Sequence, residues 1–235
     1  MITLVGVGHV FEISEQVKAV VRSRRPRVVC LELDAGRYMA LTRKDKSRSL
    51  PLQYRLLAYF QQRMAEKFGT EVGDEMMAAA EAAKEIGAGV ALIDVDANRM
   101  FAELWRKMSF KERINLLGGA FFGLFLPRER VEKEIERYEE NSEDYIKSMG
   151  DGFPTIKAVL IDDRNRHMSQ QLKSLSQQHG TVVAVVGDGH VPGLLEALKD
   201  VEVEVVRLKD LRSGAPADQQ GQAAEHNVTY WYHYK

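Results

Sequence analysis

Short apolar runs and longer amphipathic stretches alternate along the chain. "ITLVGVG" (2–8) is continuously apolar rather than alternating, the pattern of a strand buried on both faces. Ser14 is placed to cap a helix over 15–25, which Pro26 stops. "VVCLEL" (28–33) is the next strand, so the first 34 residues read as a β-α-β unit, and such a crossover implies a parallel sheet. Three more strands are predicted, "GVALIDVD" (89–96), "TVVAVVG" (181–187) and "VEVEVVRL" (201–208). Helices are predicted between them. The stretch 50–69 sets Leu56, Phe60, Met64 and Phe68 in i,i+4 steps, and 74–87 is rich in alanine. Helical patterns follow at 97–108 and 111–126, in the strongly charged 128–149, in 154–178 with Pro at its start, and in 192–200.

The pattern predicts an α/β fold: a mainly parallel central sheet flanked by helices, with a helical insertion at about 98–150. The domain is expected to span 1–211. A polar connector and an aromatic tail fill 212–235, and "VTYWYHYK" alternates like an edge or partner-pairing strand.

Composition narrows the classes. Of 235 residues, 45% are hydrophobic and 29% charged, enough apolar material for a core. A formal net charge of −1 leaves no basic excess to neutralise phosphates, which argues against a general nucleic-acid binder. The single cysteine, Cys30, excludes an intrachain disulfide framework and fits a reducing compartment. No signal-peptide pattern precedes the first strand, so a cytoplasmic location is expected. The longest uncharged apolar run, 115–127, falls short of the roughly 20 residues needed to cross a bilayer. It reads as a buried helix first and a subunit-contact helix second.

In open parallel sheets, ligands bind beyond the carboxyl ends of the strands. The predicted strands deliver His9, then Glu32 and Asp34, then Asp94 and Asp96, then Asp188 and His190 to that edge. Two of these ends repeat each other. TLVGVGHV (3–10) and AVVGDGHV (184–191) share Val, both Gly, His and the following Val. Glycine lets the backbone turn sharply before each histidine. One histidine after such a turn is usually a hydrogen-bonded loop residue, but two copies at strand ends point to a functional site. Two neutral imidazoles and a carboxylate can ligate a divalent metal with positions left open. Neither copy completes G-x-G-x-x-G, since Phe11 and Pro192 interrupt it, so a dinucleotide site is weakly supported. A small anion at a helix N-terminus stays open.

"IDDRNRHM" (161–168) sets Arg164 beside an apolar stripe. A charge there is costly unless paired, and Glu32 or Asp94 are candidate partners; an exposed helix patch is the alternative. Arg37 follows Glu32 closely and either binds a carboxylate or phosphate bidentately or supports its neighbours. Glu75 suits the helix dipole at the start of its helix, and Trp105 sits at core or interface spacing.

Five motifs in order carry a resemblance: "GVGHV", "ELDAGRY", "DEMMAAAEAAKEIGAGVALIDVDANRMFAELWRKM", "IDDRNRHM" and "VVGDGHVPGL". Over roughly 1–200 the chain resembles the TraB/PrgY pheromone-shutdown family, within the wider group of GumN-like and Tiki-like proteins. The resemblance implies a related α/β core with Gly-x-x-His at each end and an acidic residue between. Tiki-like relatives are regarded as divalent-metal-dependent peptidases, and bacterial TraB-like members limit a peptide pheromone. By position, His9, Glu32 and His190 match the site motifs, while Arg37 and Arg164 match the accompanying arginines. Two departures stand out: many members read Glu-Arg-Asp at 163–165 and Asp-Arg-Asp at 94–96, where this chain has Asp163-Arg164-Asn165 and Asp94-Val95-Asp96. Some relatives also carry a C-terminal membrane segment; no membrane span is expected from the sequence given, so a membrane role is not carried over.

The leading expectation is a metal-dependent hydrolase, a peptidase acting on small peptides. His9 and His190 would bind Mn, Co or Zn, Glu32 would be third ligand or general base, and Arg37 and Arg164 would orient carboxylates or hold substrate charge. A second expectation is a non-catalytic protein that sequesters a peptide or small anion. A third is an assembly scaffold, a homodimer with "GGAFFGLFL" and the aromatic tail at its interface.

Overall fold

The computed structural model describes residues 1–8, 12–43, 73–123 (backbone alone for 117–123), 150 and 152–213. Five parallel strands form one sheet: β1 (Ile2–Val7), β2 (Val28–Leu31), β3 (Gly89–Leu92), β4 (Val182–Gly187) and β5 (Val203–Val206), in the order β3-β2-β4-β1-β5. The α/β expectation therefore holds. The chain steps from β1 through β2 to β3 at one edge, then returns to insert β4 between β2 and β1. Every residue of β1 is buried, as its unbroken apolar pattern requires. The strands β2 and β3 are shorter than the sequence suggests. Each stops at leucine, and the following polar residues leave the ladder at the carboxyl edge.

The helices described are α1 (Ser14–Arg24), α2 (Ala35–Arg43), α3 (Asp74–Glu85), α4 (Ala97–Lys107), α5 (Phe110–Gly123), α6 (Pro154–Lys157), α7 (Asp163–His179), α8 (Val191–Ala197) and α9 (Leu208–Arg212). Side chains alternate across each strand, so the sheet builds two cores. On one face Val5, Val7, Leu31, Val183 and Val185 pack against Val17, Val20 and Val21 of α1 and the alanines of α3. On the other, Ile2, Leu4, Cys30, Ala184 and Val186 pack against Met168 and Leu172 of α7 and Leu194 of α8. A small third cluster joins Met100, Leu104 and Met108 to Ile156 and Val159, seating the start of the expected insertion on the α6–α7 region.

Some local readings change. Ser14 does not cap α1: it is the first helical residue, Ile13 precedes it, and no side-chain cap bond forms. The single helix expected over 154–178 is α6 and α7 joined by a π turn, Ala158–Asp162. Trp105 is 37% exposed, with the Arg113 guanidinium over its ring at 5.0 Å, so it is not core. The helices expected at 50–69 and 128–149, and the tail at 228–235, lie outside the described residues. No helix among the described residues is long and apolar enough to cross a membrane.

Candidate functional site

The site is assembled where β2 and β4 end side by side. The Glu32 N–H donates to Val185 O at 3.1 Å, extending the ladder by one residue, so its side chain starts at the sheet edge. Helix α7 runs back across the sheet before β4, which puts its first turn at the same edge. Its buried face, Asn165, Met168, Ser169 and Leu172, is apolar deep in the core and polar at the rim. The π turn just before α7 interrupts the regular ladder, and the Arg164 Nη1 donates to the Leu160 carbonyl there at 3.2 Å.

Arg164 joins the acidic strand ends. Its Nε donates to Asp94 Oδ1 at 3.0 Å, and its Nη2 donates to Asp94 Oδ2 at 2.7 Å and to Glu32 Oε1. The paired reading of "IDDRNRHM" holds and the exposed-patch alternative does not: Arg164 is 12% exposed and the Asp94 side chain 0%. Arg37 bridges Asp94 to Asp34, donating from Nη2 to the first and from Nε to the second at 2.7 Å. Asp34 also accepts the N–H groups of Arg37 and Ala97, tying together the starts of α2 and α4. Three carboxylates and two guanidiniums thus form one continuous network in which both arginines serve carboxylates of the chain. Asp96 is not in it; it caps α4 from the surface, accepting the Arg99 N–H at 2.9 Å.

Glu32 also faces β4. Its Oε2 accepts the Gly187 N–H at 2.6 Å, and Oε1 lies 3.4 Å from His190 Nε2. The other ring nitrogen, Nδ1, is 2.7 Å from Asn165 Oδ1. Burial alone would raise the Glu32 carboxyl. The charges of His190 and Arg164, with hydrogen bonds from His190 and Gly187, outweigh it and hold the group well below the usual carboxylate range. Burial likewise opposes the charge on Arg164, but Glu32 and Asp94 raise it above its ordinary value, so it stays cationic. Against its burial, Asp34 is lowered by Arg37.

Asp188 turns away from this group. It accepts from Arg207 Nε and Nη2 at 2.8 and 2.6 Å and from the Leu208 N–H at 3.0 Å, so it locks the end of β4 to the segment after β5. Gly6 is required beside it, because a Cβ there would overlap Asp188 Oδ1.

The repeated motif is now placed. β1 and β4 are neighbours, but Val7, not Gly6, stands opposite Gly187. Within the paired strands, equivalent residues of the two copies are therefore offset by one position, and side-chain alternation sends them to opposite faces. His9 lies outside the described residues. Of the residues singled out from sequence, Glu32, Arg37, Arg164 and His190 come together. Asn165, the residue that holds His190, had no signal beyond its place next to Arg164.

The described donors can be tested against a divalent cation. Two ligands about 2.0–2.1 Å from a tetrahedral ion lie roughly 3.3–3.4 Å apart. His190 Nε2 and Glu32 Oε1 meet that separation at 3.4 Å. A histidine whose second nitrogen is tied to a carbonyl is also the usual arrangement of a metal ligand. Among the described residues no three His, Cys, Asp or Glu side chains converge as a complete cage, and His9, the third member of the expected set, lies outside them. The described pair fits.

The chain is 33% identical over 219 residues to an uncharacterized protein of Methanocaldococcus jannaschii; the match covers 86% of this chain and 54% of that protein. The chain thus spans about half the length of that relative. Residues 1–207, which include every described strand and every residue of the ionic network, match the TraB/PrgY/gumN family. On the order of its motifs and this match, the chain belongs to the TraB/PrgY/gumN family.

Proposed function

We propose that the protein is a metal-dependent hydrolase, acting on small peptides, in which His190 and Glu32, with His9 from the neighbouring strand end, hold a divalent Mn, Co or Zn ion. The observation that carries this reading is the His190–Glu32 pair, 3.4 Å apart and each fixed from behind. When bound, such an ion supplies Lewis-acid polarisation of a carbonyl and acidifies water. The chain's own residues do the rest. Arg164 and Arg37 hold Glu32, Asp34 and Asp94 in place, and Gly187 fixes the outer oxygen of Glu32. Because both arginines are already committed to carboxylates, the described network favours a cationic group over a small anion.

One observation favours a second reading, a non-catalytic protein that sequesters a peptide. Both oxygens of Glu32 already accept hydrogen bonds, from Arg164 and Gly187, so neither is a free base. The test is elemental analysis and calorimetry with Mn, Co and Zn on the full chain, beside His9→Ala and His190→Ala, followed by a peptide-hydrolysis screen. Stoichiometric metal lost in both folded variants, with turnover lost alongside, supports the hydrolase. Stoichiometric peptide binding without product and without metal supports sequestration.

A further inference from the structure

We infer that Arg207 is a positioning residue for the candidate site: acting through Asp188, it fixes the Gly187–His190 turn that presents both β4-side partners to Glu32. The two contacts come from the ends of these four residues. The Gly187 N–H donates to Glu32 Oε2 at 2.6 Å, and His190 Nε2 lies 3.4 Å from Oε1. Positions 187 and 189 are both glycine, so the turn's one side chain before His190 is that of Asp188. Glycine leaves the backbone more freedom than any other residue, and a turn built this way depends on an anchor for its geometry.

Asp188 supplies that anchor, and Arg207 is what it is tied to. The Asp188 carboxylate is buried and accepts Arg207 Nε and Nη2 at 2.8 and 2.6 Å, a two-point fork that the single nitrogen of a lysine cannot make. It also accepts the Leu208 N–H at 3.0 Å. To reach this segment the side chain crosses the end of β1, which lies between β4 and β5. Gly6 leaves it the room, since a Cβ there would overlap Asp188 Oδ1. Arg207 is itself set at the start of α9: its N–H donates to Asp210 Oδ2 and its carbonyl accepts the Asp210 N–H, both at 3.0 Å. The turn is thus gripped by Glu32 of β2 on one side and by the segment after β5 on the other. A displacement of Arg207 reaches Gly187 and His190 through one residue. That the pair so held serves a metal rests on the function proposed above; the placing of Gly187 and His190 against Glu32 does not.

The test is amide NMR of the full chain, with the Gly187 amide proton as the gauge of its bond to Glu32. At 2.6 Å that bond is already short, so displacement lengthens it and moves the signal upfield. Arg207→Met is expected to shift Gly187 in that sense and to move the His190 ring signals. The Val183 and Val185 amides, deeper in β4, are expected to stay put. Arg207→Met combined with Asp188→Ala leaves no buried charge without its partner; it is expected to do the same and decides if the single variant does not fold. A part confined to the fold would lower the Tm and leave Gly187 and His190 where they are, and that result in a folded variant overturns the inference. Calorimetry with Zn separates the two proposals. Folded Arg207→Met is expected to bind Zn about 10-fold more weakly than wild type, the low end for a partner acting behind the ligands. Equal affinity in the variant and a Zn-binding wild type also overturns the inference. A wild type that binds no Zn, with Gly187 displaced in the variants, sinks the hydrolase reading alone. Zn binding by wild type with Gly187 unmoved in the folded variants sinks this one alone.

Discussion

Two glutamates, Glu32 and Glu112, are each 7% exposed, yet they are buried by opposite means. Glu112 sits in the first turn of α5 and is satisfied by helix starts. It accepts the N–H and Oγ–H of Ser109, both at 2.9 Å, while its own N–H donates back to Ser109 Oγ, a capping box. It then accepts the N–H and Oγ1–H of Thr155, both at 3.0 Å, and so caps α6 as well. These donors are neutral and fully spent on the carboxylate. Glu32 is held instead by a guanidinium 132 residues away, an amide 155 residues away and the His190 imidazole at 3.4 Å. One carboxylate fastens two helices. The other is balanced between cationic neighbours, and its surroundings change when any one of them is changed or bound.

Removing a charged partner should therefore do most damage at Glu32. Arg164→Met leaves Glu32 and Asp94 buried without their main counter-charge, and is expected to destabilise the fold by about 3–5 kcal/mol in urea denaturation. A loss below about 1 kcal/mol would mean that water reaches these carboxylates and that the network is not closed. Gly6→Ala comes next, at about 1–3 kcal/mol. The new methyl meets Asp188 Oδ1, which cannot swing aside without releasing Arg207 and the Leu208 N–H. Wild-type stability in Gly6→Ala would show the lock between β4 and β5 to be slack.

These two positions also mark how far the sequence could be read. The sheet, its parallel sense and the residues at its carboxyl edge were legible, because an unbroken apolar run ending in polar residues fits little besides a strand buried on both faces. Arg164 was legible as an anomaly: a charge beside an apolar stripe demands a partner, and the two candidate carboxylates proved to be its partners. Strand order was not legible, since nothing local says that β4 inserts between β2 and β1. The one-residue offset of the twin motifs follows from that order and was hidden with it. Asn165 was hidden for a different reason. A lone asparagine on a helix carries no periodic signal, and its role exists only because His190 and Gly193, in the segment that follows β4, reach it. Ser14 misled by offering a good cap where the backbone enters the helix one residue earlier.

The Glu112 side of the comparison is sharpened by pH. Hydrogen bonds from Ser109 and Thr155 lower its carboxyl from 4.5 to about 2. A folded value below the ordinary one stabilises the protein above about pH 4.5, and that stabilisation is lost as pH falls towards 2. Glu112→Gln is expected to be less stable than wild type by about 1–2 kcal/mol at neutral pH. The gap should shrink to nothing between about pH 4.5 and 2, read as the difference between two denaturation series so that other carboxyls cancel. A gap that stays constant through that window would mean that the caps need only an acceptor and not a charge.

The smallest effect is expected where both partners face water. Arg22 and Glu85 join α1 to α3 through two hydrogen bonds, at 2.8 and 3.1 Å, a geometry as good as that of Arg164 on Asp94. Their side chains are 45% and 41% exposed, so solvent already screens each charge and takes over when the other is removed. Arg22→Ala is accordingly expected to leave the Tm unchanged to within about 1 °C, and to do so at low and high salt alike. The apolar faces of α1 and α3, valine against alanine, hold that contact without the pair. A drop of several degrees that vanishes in high salt would show that a bidentate arginine stabilises this fold wherever it lies. The weight given to burial at Glu32 and Arg164 would then have to be reassigned to geometry.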